Sequence, residues 1–155
     1  MKAKTGVVDL LNKVLANELT AINQYFLHGE MCKNWGYEGL YHKVREHAID
    51  EMKHAEEIIE HILYLEGQPR MQLGKIAGGT SVPEQLKADL NLELENVTLL
   101  REGIAHCAEV GDFTTRHKLE EIVKSEEVHI DWIETQQDTI EQVGLENYLS
   151  EQMHQ

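Results

Sequence analysis

Apolar residues recur at alternating spacings of three and four along four long stretches of the chain. This period is that of an amphipathic α-helix with one face turned toward a core. A shorter pattern of the same kind follows near the end of the chain. The sequence therefore predicts helices over about residues 7–34, 37–66, 83–110 and 113–143, and a short fifth helix over about 145–153.

The segments between the predicted helices indicate the topology. Only residues 35–36 separate the first two helices and only 111–112 separate the third from the fourth, so each pair is expected to form an antiparallel hairpin. Residues 67–82 join the hairpins and contain proline and several glycines, and a connection of this length is able to cross the bundle from end to end. The prediction is an all-α fold of one domain, residues 1–155: a four-helix bundle of two antiparallel hairpins joined by a long crossover, followed by the fifth helix.

Four glutamates lie at positions that the apolar pattern assigns to the core, one on each long helix, and two of them begin a Glu-x-x-His sequence. Residues three apart share a helical face, so each such pair directs a carboxylate and an imidazole at one point. An unpaired buried carboxylate costs several kcal/mol or takes up a proton, whereas two divalent cations neutralise four carboxylates. The predicted site holds two ions, with Glu18 and His54 on one, Glu93 and His129 on the other, and Glu51 and Glu126 bridging them.

Charge and composition narrow the classes of function. The chain has 28 acidic and 14 basic residues and a net charge of −14, which opposes nucleic-acid binding and favours metal cations. Its apolar runs are too short to cross a membrane, and its first residues lack the apolar core of a secretory signal. Cys32 and Cys107 form neither a zinc-binding nor a redox pair, so we expect free thiols and a cytoplasmic location.

The residue types in the predicted site indicate its chemistry. Glutamate oxygens and imidazole nitrogens suit iron, manganese or zinc, and the lack of thiolate ligands argues against an iron–sulfur cluster. Six ligands for two ions leave coordination positions open, as oxygen or peroxide chemistry requires, whereas a structural zinc site is normally closed. Tyr25 and Trp132 lie near the predicted ligands along their helices. They are candidates for electron donors, although aromatic residues at helical spacing also serve packing.

Several segments spread over nearly the whole chain resemble the bacterioferritins, which have the ferritin-like form of the four-helix bundle. These segments are NEL at 17–19, AINQYFLH at 21–28, DEMKHA at 50–55, ILYLEG at 62–67, DLNLEL at 89–94, HIDW at 129–132 and GLENYL at 144–149. The resemblance implies a homo-oligomeric cage of 24 subunits that oxidises Fe(II) with O2 or H2O2 and stores the product as a ferric mineral. All six predicted ligands match the ligands of the family's di-iron ferroxidase centre.

The resemblance also implies a haem. Bacterioferritins hold a b-type haem between two subunits with one methionine from each on the iron, and Met52 stands at that position. Met52 is one residue from Glu51, about a hundred degrees around the helix, so it points away from the predicted metal pocket. The chain has no CxxCH motif, so the haem is expected to be non-covalent. In the family this haem carries electrons for iron release, delivered by a bacterioferritin-associated ferredoxin.

One position departs from the family pattern. Many bacterioferritins have a histidine four residues before Asp50 as part of an iron site on the inner surface, and here that residue is Glu46, with His47 beside it. Glu46, His47 and Asp50 remain candidates for that site. Cages mixed with a second ferritin-type subunit are an alternative to the homo-oligomer. Two other functions also stay open: a di-iron peroxidase or oxygen-activating enzyme without mineral storage, and a haem-carrying or structural assembly whose site holds zinc.

Overall fold

A computed structural model describes residues 1–154, so Gln155, the last residue of the predicted domain, lies outside the described residues. The described chain consists of helices and connections without a β-strand, and the crossover occupies residues 65–81. The predicted all-α bundle with a short fifth helix is confirmed, and each observed helix begins and ends within two residues of its predicted limits. The helices are α1 (Val7–Asn34), α2 (Glu38–Tyr64), α3 (Val82–Val110), α4 (Phe113–Val143) and α5 (Leu145–Gln152).

The end of α2 comes two residues earlier than the apolar pattern predicts. Glu66 has a positive φ of 61°, which places a residue other than glycine in the left-handed region. The Gly67 amide donates to the Ile62 carbonyl at 2.9 Å, and the Glu66 amide donates to the Leu63 carbonyl at 3.0 Å. This pair of hydrogen bonds closes the last turn of a helix and directs the chain away from it. The crossover therefore begins at Leu65.

Side-chain caps define the starts of α3 and α4. Ser81 accepts a hydrogen bond from the Glu84 amide at 3.3 Å, while Glu84 accepts from the Thr80 amide at 2.7 Å. Asp112 accepts from the Thr115 amide at 3.0 Å, directly after Gly111, whose φ of 77° ends α3. Each cap satisfies amide groups that a helix leaves unpaired at its N-terminus. Gly111 and Asp112 together set the turn of the second hairpin.

In the bundle, α1 packs along α2, α3 packs along α4, and α1 and α3 also contact each other. Two apolar clusters lie at the two ends. The first includes Leu11, Leu15, Ile58, Ile62, Leu100, Leu119 and Ile122, and the second includes Cys32, Leu40, Leu86, Ile133 and Tyr148. A buried Leu or Ile side chain contributes about 1.5–3 kcal/mol. On every long helix the predicted ligands lie between residues of the two clusters, so the candidate site occupies the middle of the bundle.

A row of polar side chains on α1 binds the backbone of the crossover. Asn12 accepts from the Arg70 amide at 2.8 Å, and Thr20 accepts from the Gly74 amide at 2.8 Å. One turn further, Gln24 accepts from the Ala77 amide at 3.1 Å. These contacts give hydrogen-bond partners to backbone amides of the crossover, which has no regular secondary structure of its own. None of the helices among residues 1–154 has the combination of length and apolar character needed to cross a lipid bilayer.

Candidate metal centre

The six predicted ligands meet in the middle of the bundle, and all six are buried. They form two groups whose ligand atoms lie within 4.8 Å of one another. We call the space bounded by Glu18 and His54 the first position, and the space bounded by Glu93 and His129 the second position. The other two glutamates belong to both groups, as a bridging role requires. The groups are Glu18, Glu51, His54 and Glu126, and Glu51, Glu93, Glu126 and His129.

His54 faces the carboxylates of the first position. Its Nδ1 atom lies 3.0 Å from Glu126 Oε1, 3.4 Å from Glu51 Oε1 and 3.6 Å from Glu18 Oε2. The carboxylates come from three different helices, α1, α2 and α4, so this convergence depends on the packing of the bundle. An imidazole nitrogen among three carboxylates is a donor set suited to a divalent transition metal.

His129 is oriented from both sides of its ring. Nδ1 faces the centre, 3.4 Å from Glu51 Oε1 and 4.0 Å from Glu93 Oε1. Nε2 lies 2.9 Å from Asp50 Oδ2. A carboxylate at Nε2 accepts its proton and leaves the lone pair of Nδ1 free for a metal ion, and this pairing also fixes the ring plane. Asp50 therefore positions His129 as a ligand.

The burial of the carboxylates changes their acidity. Burial, followed by repulsion from Glu126, raises the pKa of Glu18. Burial also raises the pKa of Glu51 well above its usual range, with repulsion from Glu18 as the next cause. The pKa of Glu93 is raised well above its usual range by burial and then by a hydrogen bond with Glu126. Burial therefore favours the protonated forms of Glu51 and Glu93 when no metal is bound.

Glu126 and His54 behave in the opposite way and form an ion pair. Burial alone raises the pKa of Glu126, but hydrogen bonds with Glu93 and His54 outweigh burial and lower it. Burial alone lowers the pKa of His54, but hydrogen bonds with Glu126 and Glu18 outweigh it and raise the pKa to about 10. The metal-free centre thus contains an imidazolium and protons in the place of metal charge.

Seven buried nitrogen and oxygen atoms of the six predicted ligands have no hydrogen-bond partner outside this cluster. Buried polar atoms are almost always paired, so a cluster of such atoms directed at one another forms a donor set that suits a cation. Both ligand histidines contribute Nδ1, the atom that faces the carboxylates. The seven atoms are Glu18 Oε2, Glu51 Oε1, Glu51 Oε2, Glu93 Oε2, Glu126 Oε1, His54 Nδ1 and His129 Nδ1.

Two further side chains donate hydrogen bonds to the centre. The Tyr25 hydroxyl donates to Glu93 Oε1 at 2.8 Å, so Tyr25 contacts a predicted ligand directly. The Asn96 amide donates to Glu18 Oε1 at 2.9 Å. Sequence analysis did not identify Asn96, although it lies three residues after Glu93 and thus on the same face of α3. Its spacing from Glu93 was the available signal.

The three residues of the candidate inner-surface site make separate contacts. The Glu46 carboxylate lies 3.4 Å from Lys43 Nζ, and Asp50 pairs with His129. His47 is buried and its ring stacks on His129, with 4.1 Å between centroids. Burial, followed by the nearby charge of His129, lowers the pKa of His47 to about 3, so its ring is neutral. Neither of the two groups of potential metal ligands found among residues 1–154 includes Glu46, His47 or Asp50. The inner-surface site stays a prediction.

His47 also connects the two aromatic candidates. Its ring is edge-on to Tyr25 at 5.4 Å and to Trp132 at 5.1 Å between centroids. His129 is edge-on to Tyr25 at 6.3 Å. The ring of His47 therefore lies between the indole of Trp132 and the predicted ligand His129 and contacts both. Electron donation by Tyr25 or Trp132 stays a prediction.

Met52 lies on the outer face of α2. Its side chain is 51% exposed, as expected for a residue that points away from the buried Glu51. It borders an apolar groove between α1 and α2 with a cavity volume of about 220 Å³, which we call the Met52 groove. Phe26, on the same surface, is 54% exposed. Residues lining the groove include Ile22, Phe26, Tyr41, Arg45, Ile49 and Met52.

The proteins to which this chain is similar are all of the ferritin type. A family model described as a ferritin-like domain matches residues 8–143. The chain is 46% identical over 149 residues to a bacterioferritin of Mycobacterium leprae, which covers 96% of this chain and 94% of that protein. It is 42% identical over 154 residues to a bacterial ferritin of Pseudomonas aeruginosa, covering 99% of this chain and 100% of that protein. A bacterial ferritin of Synechocystis sp. is 42% identical over 155 residues, covering 99% of each.

Proposed function

The chain belongs to the bacterioferritin family of ferritin-like proteins, and from this premise we propose that it stores iron and oxidises Fe(II) at its buried centre. The two overlapping groups of carboxylate and imidazole ligands carry the proposal. Two Fe(II) ions each give up one electron there to O2 or H2O2. The Fe(III) product is stored as a ferric mineral inside a cage of 24 subunits.

The chain's residues suit Fe(II) as a substrate in three respects. Glu51 and Glu126 are shared by both positions, so they hold two ions close together and neutralise part of their mutual repulsion. The buried carboxylates favour the higher charge of Fe(III) over that of Fe(II) because charges interact more strongly away from water. Six protein ligands also leave open coordination positions for the oxidant.

A b-type haem in the Met52 groove is a second part of the proposal. A soft thioether ligand on an exposed apolar surface suits a haem shared between two subunits, with Met52 from each subunit on the iron. The exposed Phe26 and Met52 support burial of this surface by another subunit. A haem held by Met52 would supply electron transfer for iron release, with a bacterioferritin-associated ferredoxin as the proposed electron donor. Substitution Met52→Leu should remove the haem absorbance and leave Fe(II) oxidation near the wild-type rate.

The assembly and location follow from the same premise. Large apolar side chains remain exposed in the single chain, including Leu63, Tyr64 and Phe113. Such residues are typical of surfaces that become buried on association. We propose a homo-oligomeric 24-subunit cage in the cytoplasm, with the mixed cage of two subunit types as the alternative that analysis of natively purified particles would identify.

The first test combines oxidation kinetics with iron uptake. The metal-free protein is mixed with Fe(II) and O2 or H2O2, and oxidation is followed optically before particle mass and iron content are measured. A fast phase near two irons per chain, followed by continued uptake, supports the proposal. A fast phase without further uptake favours a di-iron peroxidase or oxygen-activating enzyme. The absence of a fast phase favours the zinc-binding structural assembly.

Variants test the assigned residues. Glu51→Ala and His129→Ala should abolish the fast phase while the cage still assembles, because the apolar clusters at both ends of the bundle are unchanged. Glu56→Ala is the matched control, since Glu56 lies on the same helix but is exposed. Oxidation kinetics that are equal in all three variants would contradict the assigned centre.

A further inference from the structure

Asn96 is a buried amide in contact with two of the predicted ligands. It lies on α3, one turn after Glu93, and only 2% of its surface is exposed. Its Nδ2 atom is 2.9 Å from Glu18 Oε1 and 3.4 Å from Glu126 Oε2. A single amide on α3 thus donates to one carboxylate on α1 and one on α4. The first of these contacts is the shorter and stronger one.

The orientation of this amide is determined by its neighbours. Asn17 Nδ2 donates to Asn96 Oδ1 at 3.4 Å, so the oxygen of Asn96 faces a donor. The opposite orientation would place that oxygen against the carboxylate oxygens of Glu18 and Glu126, which are acceptors when ionised. Only the observed orientation satisfies all of these atoms. Asn96 is therefore held as a hydrogen-bond donor toward the centre.

The contacts of Asn96 leave one oxygen of each carboxylate directed at the first position. Glu18 Oε2 and Glu126 Oε1 are both buried and have no contact partner outside the six predicted ligands. These two oxygens lie 3.6 Å and 3.0 Å from His54 Nδ1. The oxygen on the other side of each carboxylate is the one that accepts from Asn96. For Glu18, which belongs to the first position alone, the amide thus separates the oxygen available to a metal from the one used for positioning.

We infer that Asn96 is a positioning residue that preforms the first position by holding Glu18 and Glu126 in the orientation that binds a divalent cation. This inference rests on the proposed function, because it concerns the same centre. Hydrogen bonds from residues behind the metal ligands commonly change metal affinity by about 10–100-fold. Asn96 acts through the glutamates and makes no contact with the substrate iron in the proposed scheme.

The second position is supported differently, which makes the inference selective. There the terminal ligand Glu93 accepts from the hydroxyl of Tyr25 at 2.8 Å. Asn96 lies three residues after Glu93, and the corresponding residue on α1, three residues after Glu18, is Ala21. Ala21 has no polar side chain, so it cannot give Glu93 the support that Asn96 gives Glu18. Loss of the Asn96 amide should therefore weaken the first position more than the second, because the shorter contact is with Glu18, which belongs to the first position alone, and the shared Glu126 accepts only the longer contact.

The test is an anaerobic titration of the metal-free full-length protein with Co(II), whose visible absorption reports the ligand geometry of each position. Wild type should bind two Co(II) per chain. In Asn96→Leu, which has a similar volume and no donor, one of the two steps should weaken by about 10–100-fold. The absorption of that step should change, and the other step, whose position shares Glu126 but not Glu18, should change much less in affinity and spectrum. Asn91→Leu, an exposed asparagine on the same helix, is the matched control.

Diffraction at the cobalt absorption edge assigns the steps to positions. At one Co(II) per chain, occupancy in Asn96→Leu should move from the first position to the second. If that variant does not fold, Asn17→Ala provides the test, because it removes the group that orients the amide without touching a ligand. It should weaken the same step by a smaller factor.

Three results would overturn the inference in distinguishable ways. Unchanged affinities and spectra in the Asn96 and Asn17 variants, with two Co(II) bound, would overturn the inference alone. Equal weakening of both steps, together with a lower melting temperature, would also overturn it, since this is the effect of a general structural role. A wild-type chain that does not bind two Co(II) would overturn the proposed function, and the inference with it.

Discussion

Metal binding at this centre should release about three protons per chain. Two of these protons are held by Glu51 and Glu93, whose pKa values burial raises well above the usual range. The third is on His54, whose pKa is raised to about 10 by hydrogen bonds with the neighbouring carboxylates despite its burial. A metal ion requires ionised carboxylates and a neutral imidazole, so two ions displace all three protons. Glu126 adds none, because its pKa is lowered and it is already ionised. Glu18 is counted as ionised, because hydrogen bonds with His54 and Glu51 oppose the effect of burial on its pKa.

The proton number has a measurable consequence for affinity. If three protons leave when two ions bind, the product of the two binding constants rises by about three orders of magnitude per pH unit near neutrality. Anaerobic calorimetric titration with Zn(II), which has no redox chemistry, measures the number directly when it is repeated in two weakly coordinating buffers of different ionisation enthalpy. Glu51→Gln should lower proton release by about one, whereas the exposed Glu56→Gln should leave it unchanged. A release of one proton or fewer in wild type would refute the reasoning.

The same protons give the metal-free protein an unusual dependence of stability on pH. Carboxyls with a raised pKa hold protons in the folded state that the unfolded chain releases above about pH 4.5, so folding stability falls as the pH rises above this value. The contribution of His54 is complete below the unfolded pKa of about 6.5 and is lost as the pH rises through about 10. Urea unfolding should therefore show a less stable metal-free protein at about pH 8 than at about pH 5.5. Stability that is constant or higher at the higher pH would contradict this account.

Two further predictions concern hydrogen bonds next to the centre. Tyr25→Phe removes the hydroxyl that donates to Glu93 and keeps the ring. The metal-free protein should therefore lose about 1–3 kcal/mol of unfolding free energy, measured with denaturant. An unchanged unfolding free energy would mean that this hydrogen bond adds nothing to stability. Both ring nitrogens of His28 face hydrogen-bond acceptors, Asp89 Oδ1 at 2.8 Å and the Ala77 carbonyl at 2.7 Å, so His28 is held in a buried pair with Asp89. His28→Leu should cost roughly 3–5 kcal/mol and make the crossover sensitive to proteolysis, and a crossover that stays resistant would contradict its anchoring role.

The helices could be predicted from the sequence because each long helix has one apolar face, but the path of the crossover could not. Proline and glycine indicate that residues 67–82 are not helical, without indicating which groups bind them. Asn12, Thr20 and Gln24 look like ordinary polar positions on α1. Their role depends on α1 and the crossover lying side by side, which is a property of the tertiary structure.

The convergence of the six predicted ligands could be anticipated from spacing within each helix, whereas the side chains that contact them come together only between helices. Asn96 is a single polar residue on α3, and its partners are on α1 and α4. His47 shows how much one residue matters: a shift of one position rotates a side chain by about a hundred degrees around the helix. The imidazole at 47 packs against His129, while the carboxylate at 46 lies beside Lys43. Matching the sequence to the family position by position does not show that these two neighbouring side chains face different surroundings.

The separation between apolar ends and a charged middle explains how the bundle tolerates its centre. The two apolar clusters hold the helices together on both sides of four buried carboxylates that repel one another without metal. Protons on Glu51 and Glu93 reduce that repulsion in the metal-free state, and cations replace them when metal binds. A buried amide in place of the Glu51 carboxyl keeps that position uncharged without a bound proton and leaves the apolar packing intact. Glu51→Gln should therefore fold at least as stably as wild type without metal, and should lose the stabilisation that wild type gains from Zn(II).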